Sequence, residues 1–152
     1  MNAKSPPVAK AIPVATPATR PFWEGTQAGE LRLQRCTACA RHFLYPRTHC
    51  PSCGSANTEW VKASGRGRLY SYVISHRAAP GWEGEVPYVI AVVQLDEGPR
   101  MLSNLVGVPP DPAALVLDTP LEVVFEARGN MMLPLFKPSN SNAAALNRGA
   151  SQ

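Results

Sequence analysis

The chain has 152 residues, of which 45% are hydrophobic and 17% charged, with a formal net charge of +4. That composition suits one ordinary globular domain or a small domain plus a metal module, and no apolar run approaches the roughly 20 residues of a membrane span. The charge is unevenly laid: residues 31–77 carry eight Arg and Lys against Glu59 alone, and residues 78–127 carry eight Asp and Glu against Arg100 alone. A basic front half suits a phosphate-bearing or acidic partner, and equally suits neutralising the acidic half across one fold.

Residues 1–19 are rich in Ala, Pro, Val and Lys without periodicity and are expected to form a disordered arm. Pro13 and Pro17 interrupt the apolar run of a signal peptide, and five prolines by Pro21 oppose the amphipathic helix of a transit peptide. The expected location is cytoplasmic. Thr19 and Pro21 are a cap and first-turn residue for a short helix. Phe22 and Trp23 give that helix something to bury, in its own domain or on a partner protein, and Gly25 and Gly29 limit its length.

Leu31 to Arg35 alternates as a strand leading into Cys36-Thr37-Ala38-Cys39. His42 to Tyr45 forms a second short strand, and Pro46-Arg47 opens the way to Cys50-Pro51-Ser52-Cys53. Thr58 to Lys62 returns as a third. These four cysteines are all the chain has. Each Cys-x-x-Cys turn brings two sulfurs to one side of the backbone, and two such knuckles complete a tetrahedral four-thiolate site. Zinc is the expected metal, with iron in a rubredoxin-like site the alternative, because soft thiolates suit both. Two disulfides would need an oxidising compartment, and a redox pair would need only one motif. His42 and His49 are expected beside the site, not in it, since cysteines already fill the coordination sphere. A four-cysteine site has no open position to activate water, so Cys36, Cys39, Cys50 and Cys53 are read as ligands of a structural Zn²⁺.

Gly65-Arg66-Gly67-Arg68 is too short to cradle phosphate and is expected to allow a bulge or a close strand crossing. Strands follow at Leu69 to His76, with Tyr70, Tyr72 and Ile74 on one face, then at Tyr88 to Leu95 and Met101 to Val106. Pro109 to Pro112 makes a turn and caps a helical turn at Ala113 to Val116. Strands at Leu121 to Glu126 and Met131 to Phe136 flank the turn Arg128-Gly129-Asn130. Five strands with a helical turn between the third and fourth is the order of an OB-fold barrel. The fold is therefore expected to be mainly β: an arm over 1–19, a short helix and zinc ribbon over 20–63, a five-stranded OB-fold barrel over 64–138, and a disordered tail over 139–152.

Several short stretches match one pattern: Arg20-Pro21-Phe22-Trp23-Glu24-Gly25, Leu33-Gln34-Arg35 before the first knuckle, Tyr45-Pro46-Arg47, and Cys53-Gly54-Ser55. They continue with Ser64-Gly65-Arg66-Gly67, Tyr70-Ser71-Tyr72, Pro87-Tyr88-Val89 and Leu95-Asp96-Glu97-Gly98. In this order they resemble the family that joins a rubredoxin-like zinc ribbon to an OB-fold and is named for association with acyl-CoA enzymes. Ala40 stands where relatives usually carry Gly. The resemblance implies an accessory subunit beside a thiolase, a hydroxymethylglutaryl-CoA synthase-like enzyme or a hot-dog-fold enoyl-CoA hydratase. It carries over the four cysteines as ligands and no catalytic residue.

The leading expectation is a non-catalytic, required subunit of an acyl-CoA-processing hetero-oligomer, with thiolase the first candidate partner. Acyl-CoA itself is a candidate ligand, with Arg47, Lys62 and Arg66 placed to meet its phosphates. The alternative is a single-stranded nucleic-acid binder stacking bases on Tyr70, Tyr72 and Tyr88. An aromatic content of 7% and acidic later strands weigh against it. An independent acyltransferase or hydrolase is a third reading, without a local Ser/His/Asp signature to support it. Trp82, in the loop between the first two barrel strands, is a candidate partner anchor or a side chain folded back on the barrel.

Overall fold

A computed structural model describes residues 8–140, and the remainder of the expected arm and tail lies outside that span. Residues 8–16 form no helix or strand. They lie against the barrel, with Lys10 paired to Glu85. Helix α1 (Arg20–Gln27) follows, with Pro21 in its first turn. Thr19 occupies the cap position but makes no side-chain cap bond. Its hydroxyl is taken by Thr16, whose backbone N–H donates to it at 2.9 Å, so the capping expected of Thr19 is not made.

The ribbon is a three-stranded sheet in the order β2-β1-β3, built from β1 (Arg32–Cys36), β2 (His42–Phe43) and β3 (Thr58–Lys62). Both neighbours of β1 are antiparallel, with Gln34 opposite Phe43 on one side and Trp60 on the other. The barrel comprises β4 (Arg66–Ser75), β5 (Tyr88–Leu95), β6 (Arg100–Leu105), β7 (Pro120–Arg128) and β8 (Met131–Pro138). It closes in the order β4-β5-β6-β8-β7, with β7 returning to β4, which is the OB-fold arrangement. Closure is thinnest between β6 and β8, where Leu105 and Phe136 pair in parallel. The Ser103 hydroxyl bridges the same gap, donating to the Pro134 carbonyl at 2.8 Å.

The glycines at the start of β4 permit a close crossing. A Cβ on Gly67 would lie 2.5 Å from the carbonyl oxygen of Gln94, inside the neighbouring strand. A bulge between Leu69 and Ser71 then corrects the expected strand pattern. The extra residue turns Tyr70 outward while Leu69, Tyr72 and Ile74 pack toward the core, so Tyr70 and Tyr72 do not share a face. Arg100 covers the outward Tyr70 ring at 3.6 Å. The turn after Pro109 closes on Asp111, and Leu115 from it is buried in the core.

Leu31, Leu33 and Ala63 share one apolar cluster with Leu69, Val93, Leu95, Leu121 and Phe136 of the barrel, so the base of the ribbon and the barrel are packed as one body. Phe22 of α1 packs against the same cluster. At the far end of β1 a separate small cluster forms from Cys36, Cys50 and Phe43, with Cys39 against it.

Candidate metal centre and adjoining surfaces

Strand β1 ends at Cys36, and the turn after it brings Cys39 back beside the same point. The chain escapes that turn through Ala40, whose φ of +60° is left-handed. The second knuckle is tied to the sheet by Gln34, which is buried: its side-chain oxygen accepts from the Arg47 N–H at 2.7 Å and its amide donates to the Arg47 carbonyl at 3.2 Å. The Cys50 carbonyl accepts from Gly54 at 2.9 Å, which closes the knuckle.

All four sulfurs lie within 4.8 Å of one another. Cys36 and Cys53 are 3.6 Å apart and Cys39 and Cys50 3.7 Å, too far for disulfides. A tetrahedron with metal–sulfur bonds of about 2.3 Å has edges of about 3.8 Å, which the Cys36–Cys53 and Cys39–Cys50 separations match, so the donor set suits zinc. The knuckle backbone favours the thiolate form at two of the four sulfurs. For Cys36 the backbone N–H of Cys39 is the main influence, and with that of Ala38 it outweighs burial and holds the thiol below its ordinary value. Burial pushes the Cys50 thiol up, but the N–H groups of Cys53 and Ser52 prevail and draw it down to about 6. At Cys53 the Ser55 N–H pulls the thiol down, but the neighbouring Cys36 and Cys39 thiols overcome it and push it up to about 12. His42 pairs in register with Arg35, and the His49 ring meets the Thr48 hydroxyl at 3.0 Å. Neither belongs to the sulfur cluster.

Of the residues expected to meet phosphate, Arg47 follows β2 at one edge of the ribbon and Lys62 ends β3 at the other. Lys62 pairs with Glu30 at 3.5 Å. Arg66 starts β4, opposite Glu122. The three sit on separate elements, and the exposed side chains of Arg47 and Arg66 form no ion pair among the described residues.

Phe22 and Trp23 meet edge to face at 5.0 Å and line an apolar groove of about 210 Å³ with Leu44, Tyr45, Pro46 and Leu102. That volume is below the roughly 300 Å³ at which small-molecule pockets begin and suits a side chain or two. A second groove continues past Leu102 to Ser103 and Pro134, over the thin closure between β6 and β8. Leu102 is 61% exposed and Tyr45 is 65% exposed, which leaves this apolar surface open. Neither was among the residues expected from sequence. The signal for Leu102 was the adjacent apolar pair Met101-Leu102, since consecutive strand residues face opposite ways and one of them must point outward. Trp82 is folded back, with its ring tilted on Tyr88 at 4.5 Å and Lys10 over it at 3.9 Å. Tyr88 therefore offers no common stacking platform with the outward Tyr70.

Residues 23–59 match the family described as the ChsH2 rubredoxin-like zinc ribbon domain, and residues 60–126 match the ChsH2 C-terminal OB-fold domain. A probable enoyl-CoA hydratase alpha subunit of Thermomonospora curvata is 40% identical over 119 residues, 78% of this chain and 37% of that protein. The benzoylsuccinyl-CoA thiolase subunit BbsA of Thauera aromatica is 31% identical over 83 residues, 55% of this chain and 56% of that one. A solved structure described as an Ltp2-ChsH2(DUF35) aldolase superposes with a TM-score of 0.74 at 33% identity, covering 84% of this chain and 98% of that one. This chain spans just over a third of the hydratase subunit's length.

Proposed function

This chain belongs to the ChsH2-type DUF35 family of paired zinc-ribbon and OB-fold domains, and on that premise we propose that it is a non-catalytic accessory subunit of an acyl-CoA-processing enzyme. The observation that carries this reading is the near-complete overlay on the ChsH2(DUF35) aldolase chain, which covers 98% of that chain. The chemistry of the site agrees. The cysteines form a closed structural zinc centre, which holds a shape and leaves no coordination position for substrate. The apolar surface around Phe22, Trp23, Tyr45 and Leu102 is where we place the partner enzyme, since exposed aromatic and apolar clusters of this kind mark protein contacts.

A thiolase is the first candidate partner, and a hydratase or aldolase the next, following the relatives' names. Arg47 and Arg66 are proposed phosphate contacts for bound CoA, because both guanidinium groups are exposed without a carboxylate partner among the described residues. Lys62 is the weakest contact of the three, being shared with Glu30. No helix among the described residues is long and apolar enough to cross a membrane, and we place the complex in the cytoplasm.

Affinity purification of the tagged full chain from its own host, with mass spectrometry of co-purifying proteins, tests the reading. A stoichiometric acyl-CoA enzyme is the expected result. Recovery of nucleic acid or ribosomal proteins without such an enzyme would overturn it.

A further inference from the structure

An OB barrel presents its ligand face over its second and third strands, between the loop joining strands one and two and the loop joining strands four and five. Here those parts are β5, β6, the loop at 76–87 and the turn Gly129-Asn130. The chain's own arm crosses this face. Its backbone runs against Gly81, where a Cβ would lie 2.6 Å from the Lys10 nitrogen and 2.8 Å from the Ala9 carbonyl carbon. Ile12 fills the space over Gly129, whose Cβ would overlap the Ile12 side chain. Both loops carry glycine, with positive φ, where the arm passes.

Lys10 is the part of the arm that is specifically held. Its side chain is 18% exposed, whereas Val8, Ile12 and Val14 remain 57%, 46% and 84% exposed. The ammonium lies over the Trp82 ring and pairs with Glu85. The ring packs on Tyr88 and is approached by Arg128 at 5.2 Å, and Arg128 is itself engaged by Glu126 at 3.6 Å. An aromatic face beside the Glu85 carboxylate is a site for a compact cation, and the one other cation at the ring among the described residues, Arg128, is already paired with Glu126. A cavity of about 80 Å³ remains beside Lys10, between Trp82, Tyr88, Asn104 and Arg128.

We propose that this cleft is a docking site for an extended, lysine-bearing segment of a partner protein, and that residues 8–12 fill it in the free chain as an exchangeable strap. One half-exposed ion pair and one cation–π contact hold the strap only modestly. Its hold comes chiefly from tethering, through an effective concentration on the order of millimolar. A partner segment with the same lysine and more apolar contact would displace it.

The probe is a fluorescein-labelled peptide with the sequence of residues 5–16, titrated by anisotropy into the full chain and into its Lys10→Glu variant. The substitution sets a second carboxylate against Glu85, so the variant's own strap is expelled. The peptide is expected to bind the variant about tenfold more tightly than the unaltered chain, whose cleft is filled. A peptide with Gln for the lysine is expected to bind neither, and adding Trp82→Ala to the variant should abolish the binding. Independently, hydrogen exchange in the Lys10→Ala chain should rise at 78–88 and 127–131 and stay unchanged in β1 and β3. Equal peptide affinity for both chains, equal affinity of the Gln peptide, unchanged exchange at both loops, or binding of a single-stranded oligonucleotide in preference to the peptide would each overturn the proposal.

Discussion

The two ends of β1 are held by different physics. At its start, Leu31 and Leu33 are buried in the core shared with Leu69, Leu95 and Phe136 of the barrel. At its end, Cys36 sits in a small cluster with Phe43, Cys50 and Cys39, with few apolar groups to stabilise it. Five residues of strand thus pass from a region stabilised by apolar burial to one that is stabilised by a metal. Stability in this molecule is therefore regional: the barrel and the base of the ribbon carry their own core, while the knuckles depend on an ion that supplies what a short segment cannot bury.

Removing the metal breaks the comparison most sharply. Structural zinc contributes on the order of 10 kcal/mol of apparent folding free energy in small zinc modules, more than any single side chain here. Chelation, or Cys50→Ser, is expected to raise hydrogen exchange across 36–57 while β5, β7 and β8 keep their protection. Simultaneous loss of the barrel would show that the regions are one cooperative unit. Acid should do the same gradually. Cys50 and Cys36 titrate lower when folded than when unfolded, so the stabilisation from their thiolates is full above the unfolded value and is lost as pH falls through the folded values, about 6 for Cys50. Zinc release, followed with a chromogenic chelator, should rise as the pH falls, because protons compete with the metal for the thiolates.

The complementary experiment is Phe136→Ala. Phe136 is fully buried where β8 meets Leu105, and its truncation should cost about 3–5 kcal/mol. The expected loss is of barrel protection, with zinc still bound at saturating metal. A smaller effect tests the knuckle from within. Ala40 holds φ +60° at the exit of the first turn, a conformation that costs an L residue about 1 kcal/mol or more. Ala40→Gly should therefore stabilise the chain slightly, seen as a small rise in the denaturation midpoint, and by less than that figure because glycine also gains freedom in the unfolded chain.

Sequence shows most clearly what local spacing encodes. Two Cys-x-x-Cys turns define the metal site, because the ligands are fixed by chemistry and by distance along the chain. The five-strand order follows from alternation and turn residues. The outward Tyr70 is not legible, because Leu69-Tyr70-Ser71-Tyr72 alternates equally well with or without a bulge, and only pairing with Val92 and Val93 of β5 reveals the extra residue. The arm reads as disordered because it lacks periodicity, yet Lys10 is held by Trp82 and Glu85, more than seventy positions away. Such a contact leaves no local trace. Nor does spacing gather Arg47, Lys62 and Arg66, which fall on separate elements once the ribbon folds.

Met101 and Leu102 bring the comparison down to adjacent residues on one strand. Met101 is 7% exposed and belongs to the core, whereas Leu102 is 61% exposed beside Trp23. Met101→Ala should cost about 2–4 kcal/mol in a denaturant titration. Leu102→Ser should change stability by no more than about 0.5 kcal/mol, because its side chain already faces water. If the face around Leu102 carries the partner enzyme, the Ser variant should lose that partner in the affinity purification while its own denaturation curve is unmoved. A destabilised Leu102→Ser chain would place the residue in the core instead. A stable one that still retains its partner would move the interface away from β6, to a surface this apolar groove does not reach.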